Sequence, residues 1–410
     1  MTTKNNIPAG YKDSAVGIIP QEWEVATLGK LVSITSGESP SLFNLRDIGK
    51  YPYIKVEDMN NCEKYQANSR EYTDDERVVI AKGSIIFPKR GAAITNNKVR
   101  IVACPVYMDS NMMAITPNDL VCGDYLYFKI TYEQLFKIAD TSTIPQINNK
   151  HIIPYKICLP PMAEQRKIAK ILGVWDEAIE KQSRLIEKLE LRKRALMQRL
   201  LTGRTHLPGF TTPWQKVKLG EICKRVTRRN EENNQNVMTI SAQKGFVSQT
   251  DFFNKSVASS TLDNYYLVLK DEFCYNKSYS NGYPMGAIKR LKEADKAVVT
   301  TLYICFSITD KQKLSIDFFE QYCENGEFNQ GLMKIANEGG RAHGLLNVTP
   351  TDFFSLVMLL PTLPEQKAIA EVLTMADNEI ATHRKKLDAL RLQKRGLMQQ
   401  LLTGKTRVKI

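Results

Sequence analysis

Between residues 168 and 200 the apolar positions recur at alternating spacings of four and three: Ile168, Leu172, Trp175, Ile179, then Ile186, Leu189, then Leu196, Leu200. Residues 369–401 keep the same phase with Ile369, Leu373, Ala376, Ile380, Leu387, Leu390, Leu397 and Leu401. This is an a/d heptad seam, and it predicts two long helices that each require a partner. Boundary signals agree. Pro160-Pro161 and Pro361/Pro364 precede the helices, Glu164 and Glu365 fall in the first turn, and Gly203 and Gly404 stand where a C-terminal glycine belongs. About 36 residues at 1.5 Å each give a rod of about 54 Å. The seam is broken at matched places, Gln182 with His383 and Lys193 with Lys394. Polar seam residues commonly fix register and partner number.

The helices are copies of each other. Residues 159–205 align on 360–406 at a constant offset of 201, without a gap and with 21 of 47 positions identical. A weaker echo lies upstream, where Pro20-Gln21-Glu22-Trp23 with Leu28-Gly29 matches Thr211-Thr212-Pro213-Trp214 with Leu219-Gly220 at an offset of 191. The order is head, arm, head, arm: 1–158, 159–205, 206–359 and 360–410. A pseudo-twofold relation between the halves predicts antiparallel arms with a head at each end. Trp175 aligns with Ala376, so a large residue in one arm is expected to fill the gap left by a small one in the other.

Within the heads the period shortens. Residues 78–87 read as strand, turn, strand, and Lys98 to Ala103 and Asn111 to Ile115 as short strands, whereas Tyr125 to Ile138 reads as helix. In the second head Tyr265 to Leu269, Glu272 to Tyr275 and Thr301 to Ile308 are strand-like and Ile316 to Tyr322 helix-like. The longest apolar run, Phe353 to Leu360, reads as a buried strand. The expected fold class is α+β: two recognition heads separated by two long antiparallel coiled-coil helices.

Composition narrows the chemistry. Lys and Arg outnumber Asp and Glu by 57 to 44, a net charge of +13 that favours polyanions, nucleic acid first among them. Eight cysteines without a Cys-x-x-Cys pair, and four histidines, point to reduced thiols in a cytoplasmic protein rather than a zinc site. No stretch approaches the roughly 20 apolar residues that span a bilayer, and residues 1–10 lack the apolar block of a secretory signal. No Gly-x4-Gly-Lys-Ser/Thr loop is present for ATP, no Asn/Asp-Pro-Pro-aromatic motif for a flipped adenine, and no Ser-His-Asp arrangement. The chain is therefore expected to be non-catalytic, with no cofactor of its own.

The carrying motifs are Tyr11-Lys-Asp-Ser14 with Gly17-Ile-Ile-Pro-Gln-Glu-Trp23, Leu207-Pro-Gly-Phe-Thr-Thr-Pro-Trp214, Ser142-Thr-Ile-Pro-Gln-Ile-Asn148, Leu159-Pro-Pro-Met-Ala-Glu-Gln165 with its copy at 360–366, and the Leu-Leu-Thr-Gly ends of both arms. In their order, duplication and spacing they resemble the DNA specificity subunits of Type I restriction-modification systems, over nearly the whole chain. The resemblance implies that each head is a target recognition domain reading one half of a split site on double-stranded DNA. It implies that the arms are the spacer and the docking surface for two adenine-methylating modification subunits, which carry S-adenosylmethionine, with ATP-using restriction motor subunits joining the assembly. A coiled-coil scaffold with protein-binding heads, or the specificity subunit of a related modification assembly, is the competing reading. The second head departs at the Ser-Thr-Ile-Pro-Gln element, where Gly339-Gly-Arg-Ala-His343-Gly stands instead.

A head that reads a duplex needs cations for phosphates and amide, guanidinium or hydroxyl groups for base edges. In the first head Lys89-Arg90-Gly91 follows a strand end and is the first candidate, although it also fits an ordinary basic turn. Gln146, Asn148, Asn149 and Lys150 form the second; Asn and Gln suit adenine, and Asn-Asn is equally a common turn. In the second head Lys277, Ser278, Tyr279, Ser280, Asn281 and Tyr283 form a polar, aromatic loop with Lys289-Arg290 close behind. Arg341 and His343 lie in a glycine-rich turn. Lys224, Arg225, Arg228 and Arg229 are a basic run that serves phosphate contact or a solvated face.

Overall fold

The structure, a computed structural model, describes residues 7–141, 144–249, 262–336 and 345–410. Its helices and strands fall into two compact units, 1–183 with 386–410 and 184–385, and both cuts lie inside the arms.

In the first unit a five-stranded sheet runs in the order Val32–Ser36, Met112–Pro117, Ile85–Pro88, Arg100–Val102, Tyr65–Gln66, antiparallel except for the last pair. Ile85, Ile86, Phe87 and Pro88 are all buried, so this strand is covered on both faces. The predicted helix at 125–138 is Gly123–Glu133, broken at Gln134 (φ 63°) and followed by a 3-10 turn, Leu135–Ile138. Strand Glu24–Thr27 pairs antiparallel with Lys156–Leu159 and closes the head at the foot of the arm. One apolar core contains Trp23, Tyr125, Phe128, Ile168 and Leu172 together with Met398, Leu401 and Leu402.

The second unit repeats the scheme with other residues. Its four-stranded sheet has the order Cys223–Arg225, Ile304–Ile308, Phe273–Asn276, Ala287–Arg290, and Gln215–Lys218 pairs antiparallel with Val357–Leu360. Met197, Leu200 and Leu201 share a core with Phe273, Phe306, Phe318, Phe353, Ile369 and Leu373. The apolar run expected to be one strand is split: Pro350–Phe354 is helical and only Val357–Leu360 is strand. The reason precedes the run. Thr349 caps the turn by accepting from the Asp352 amide, and Pro350 sits at the first helical position, where its missing N–H costs nothing.

Both arms are helical over 39 residues, Met162–Leu200 and Leu363–Leu401. In each unit the two arm segments present pack antiparallel, because contact partners descend along one as they ascend along the other. Glu164 meets Arg407 and Asp176 meets Lys394 in the first unit; Glu190 meets Arg384 and Lys193 meets Asp377 in the second. Leu172 and Leu373 are fully buried, a burial worth about 2 kcal/mol each. The polar seam positions take distinct roles: Gln182 is buried, His383 half-buried, and both lysines find an aspartate. Trp175 and Ala376 do not compensate for each other. Ala376 lines a cavity of about 150 Å3 with Leu189, Leu196, Val372 and Met375 in the second unit, and Trp175 belongs to the first.

The repeated motifs fasten head to arm. Trp23, fully buried, donates from Nε1 to Glu164 at 2.9 Å, and Arg407 grips the same carboxylate at 2.7 and 2.9 Å. In the second unit Trp214 donates to Glu365 at 3.2 Å and His206 lies 2.8 Å from it. The neighbouring glutamines work alike. Gln165 accepts from the Cys122 amide and Gln366 from the Ser315 amide, each at 2.8 Å, and these are the residues that open the two head helices. Gly203 (φ 69°) and Gly404 (φ 75°) end the arms in the left-handed region; a Cβ on Gly404 would lie 2.4 Å from Pro20.

Candidate nucleic-acid interface

Where strand Ile85–Pro88 leaves the core of the first head, Lys89-Arg90-Gly91 emerges. Gly91 has φ 79° and open space where a Cβ would stand. The chain there is stitched to the second candidate cluster: Gly91 N donates to Pro145 O and Ile147 N to Lys89 O, both at 2.9 Å, and Arg90 bridges Gln146 antiparallel. Two clusters separate in sequence are thus one surface. Arg90 is exposed and carries no ion pair among the described residues. Lys89 is half-buried, and burial, with the like charge of Arg90 behind it, pulls its pKa below the usual lysine value. An anion beside the pair would relieve both penalties. Asn149 and Lys150 are exposed in a short helical turn, Asn149–Ile152. The Asn148 amide instead donates to His151 Nδ1 at 3.1 Å, which ties the start of that turn.

The second head uses the same exit. Strand Phe273–Asn276 ends at Lys277, whose carbonyl accepts from Leu346 N at 3.0 Å, and Ser278 bridges Leu345. The loop is shaped by its own bonds. Ser278 N donates to Asn276 Oδ1 at 3.0 Å, and Tyr283 N to Ser280 O at 2.8 Å. Tyr279 is 68% exposed. Arg341 and His343 lie outside the described residues.

Not every cation in the expected set faces outward. Lys289 is buried, with Glu324 and the Tyr283 hydroxyl as its partners, and Tyr283 itself donates to Glu324 at 2.8 Å. Arg290 is held by Asp271 at 2.5 Å, Asp317 at 2.6 Å and Glu320 at 3.2 Å. Helix Ile316–Glu324 lies against this strand and supplies Asp317, Glu320 and Glu324 from one face. That i, i+3, i+7 row of carboxylates was the available signal. Likewise Arg228 forks onto Glu272 at 3.1 and 3.2 Å, and Arg229 covers the Tyr266 ring at 5.1 Å, while Lys224 and Arg225 stay exposed. One residue absent from the expected set joins the loop: Gln243 donates to Asn281 O at 3.1 Å from the exposed turn beside Lys244.

A second surface lies on the arms. Val174 and Leu392 in the first unit, and Met375 and Leu191 in the second, are each 58–65% exposed, and they correspond pairwise at the offset of 201.

Residues 20–191 match the Type I restriction modification DNA specificity domain. The Type I restriction enzyme MjaVIII specificity subunit of Methanocaldococcus jannaschii is 23% identical over 437 residues, covering 95% of this chain and 94% of that protein. The putative type I restriction enzyme MjaX specificity subunit of the same organism is 27% identical, with 97% of each chain covered. The crystal structure of the Type I restriction-modification S subunit from M. genitalium shares the fold at a TM-score of 0.55, with 16% identity and 98% of both chains covered. Over nearly its whole length the chain is similar to Type I restriction enzyme specificity subunits, and the family's domain is matched within its first half.

Proposed function

We propose that each head reads one half of a split site on double-stranded DNA and that the paired arms hold the two readers at a set distance. The observation carrying this reading is the shared exit. In both heads a buried strand ends in a lysine whose carbonyl is bonded by a second polar segment, Ile147 in one and Leu346 in the other. This shared exit supports the reading, since a lysine there suits phosphate and the flanking amides and hydroxyls suit base edges. Lys89, Arg90, Gly91, Gln146, Asn149 and Lys150 form the first reading surface, with Asn148 positioning the turn. Lys277, Ser278, Tyr279, Ser280 and Asn281 form the second, and Arg341 and His343 are added to it from their residue types alone. Tyr283, Lys289 and Arg290 support that loop from behind.

Two adenine-methylating modification subunits dock on the arms in this reading. The duplicated exposed pairs Val174/Leu392 and Met375/Leu191 support it, since two equivalent apolar patches suit two copies of one partner. S-adenosylmethionine and ATP enter with the modification and motor subunits, and the assembly works in the cytoplasm. The test is a ruler experiment. Inserting four residues into both arms lengthens the rod by about 6 Å, and sequencing of modified adenines should then show the gap between half-sites growing by about two base pairs at about 3.4 Å per step. An unchanged gap refutes the spacer.

A further inference from the structure

We propose that Asp176 and Asp377 are positioning residues: each sets the angle of its head on the paired arms, and through that angle the half-site spacing the complex accepts. The inference rests on the bipartite reading above. The two aspartates occupy matched positions at the offset of 201, and so do their lysine partners Lys394 and Lys193.

In the second unit Lys193 Nζ lies 2.6 Å from Oδ1 of Asp377. Gln321, buried on head helix Ile316–Glu324, donates from Nε2 to the other oxygen at 2.9 Å. One carboxylate therefore joins both arm segments and the head. In the first unit Lys394 bonds Oδ1 of Asp176, and Lys64 Nζ lies 3.8 Å from Oδ2. Lys64 is anchored to the head helix by Asp124 at 2.9 Å. Phe128 stands where Gln321 stands in the second unit, six residues after the residue whose amide the arm glutamine holds. Both ammonium groups lie over its ring, Lys64 at 4.6 Å and Lys394 at 5.2 Å. The same arm pair is used twice, with a different head group closing it each time.

Apolar packing between a head and a helix is non-directional and permits rocking; the Gln321 hydrogen bond to a charged carboxylate is directional, and in the first unit the Lys64 ion pair, with both ammonium groups over the Phe128 ring, takes its place without a hydrogen bond. A rock of roughly 8° over a lever of about 25 Å, the scale of a 150-residue domain, moves a reading loop by about one base-pair step.

The experiment uses the full chain assembled with its modification subunits. Methylation rates are measured on duplexes with fixed half-sites and spacings from two base pairs below to two above the wild-type optimum. Gln321→Ala should lower the ratio of the optimal spacing to its neighbours by about tenfold, leaving base preference within each half-site unchanged. Gln321→Lys, which copies the first unit's ammonium-to-aspartate contact, should restore the ratio. Lys64→Met should flatten the profile in the same way, and it serves as the second variant if Gln321→Ala does not assemble. A sharp wild-type optimum with unchanged variant profiles, even at reduced stability, overturns this inference alone. A wild type without any spacing optimum overturns the bipartite reading and this inference with it.

Discussion

The two units share their fastening and differ in their surfaces. Glu164 and Glu365 are equally buried, each receives an indole N–H, and each is met by the residue at the same place in the repeat. That residue is Arg407 in the first unit and His206 in the second. The guanidinium engages both carboxylate oxygens and is always charged; the imidazole engages one and carries charge only when protonated. The bonds to Glu164 and Glu22 hold Arg407 well above the usual arginine range. The lesson is that duplication preserved the geometry of head on arm while its chemistry drifted. The Lys-Arg dipeptides teach the converse. Lys89-Arg90 and Lys289-Arg290 are the same two residues, yet the first faces outward beside Gln146 and the second is enclosed by Glu324, Asp271, Asp317 and Glu320.

The largest expected effect separates the two clamps. Glu164→Ala leaves the Trp23 indole without its acceptor and Arg407 with Glu22 alone, and it should cost about 3 kcal/mol in chemical denaturation. Glu365→Ala, facing an imidazole that can be neutral, should cost about 2 kcal/mol. Equal losses would show that the cation's identity is immaterial.

Next come the two arginines. Arg290→Ala strands three carboxylates beside one another and should lower stability by about 2 kcal/mol, with the loop it supports disturbed in consequence. Arg90→Ala should leave stability within about 0.5 kcal/mol. It should weaken DNA binding and reduce the slope of log affinity against log salt by about one unit, as expected for one lost phosphate contact. Salt titrations and melts of both variants decide this contrast. An Arg90 variant with an unaltered salt slope would remove that residue from the reading surface.

The smallest effect concerns the seam. Lys394→Met and Lys193→Met each delete one partly buried ion pair and should cost about 1 kcal/mol. The first also loses its contact with the Phe128 ring, so it should be slightly the more damaging by thermal melting.

The arms were legible in the chain itself, because a helix's contacts follow from its own period and because two copies of one pattern confirm each other. Ile168, Leu172, Ile369 and Leu373 were expected on the seam and are buried there. Local chemistry also located Ile85–Pro88, Arg100–Val102, Met112–Pro117, Tyr266–Leu269, Phe273–Asn276, Ile304–Ile308 and the two expected head helices to within a few residues, but the strand expected at the start of 78–87 is only an isolated bridge at Ile80. It failed at Phe353–Leu360, where a capped proline turn overrode a uniformly apolar run.

Sequence alone determined the duplication, the heptad seam, the basic character and the place where each head exposes polar groups. These are properties of neighbours along the chain, and local periodicity and composition suffice to express them. Only the tertiary structure decided which cations remain free for a duplex, because a charge is silenced by whichever carboxylate folding brings against it. It alone joined Lys89-Arg90 to Gln146 across the chain, and it showed that the Trp–Glu contacts bind head to arm while the Lys–Asp contacts bind one arm segment to the other. Such pairings lie tens to hundreds of residues apart, and no local pattern encodes the distance between them.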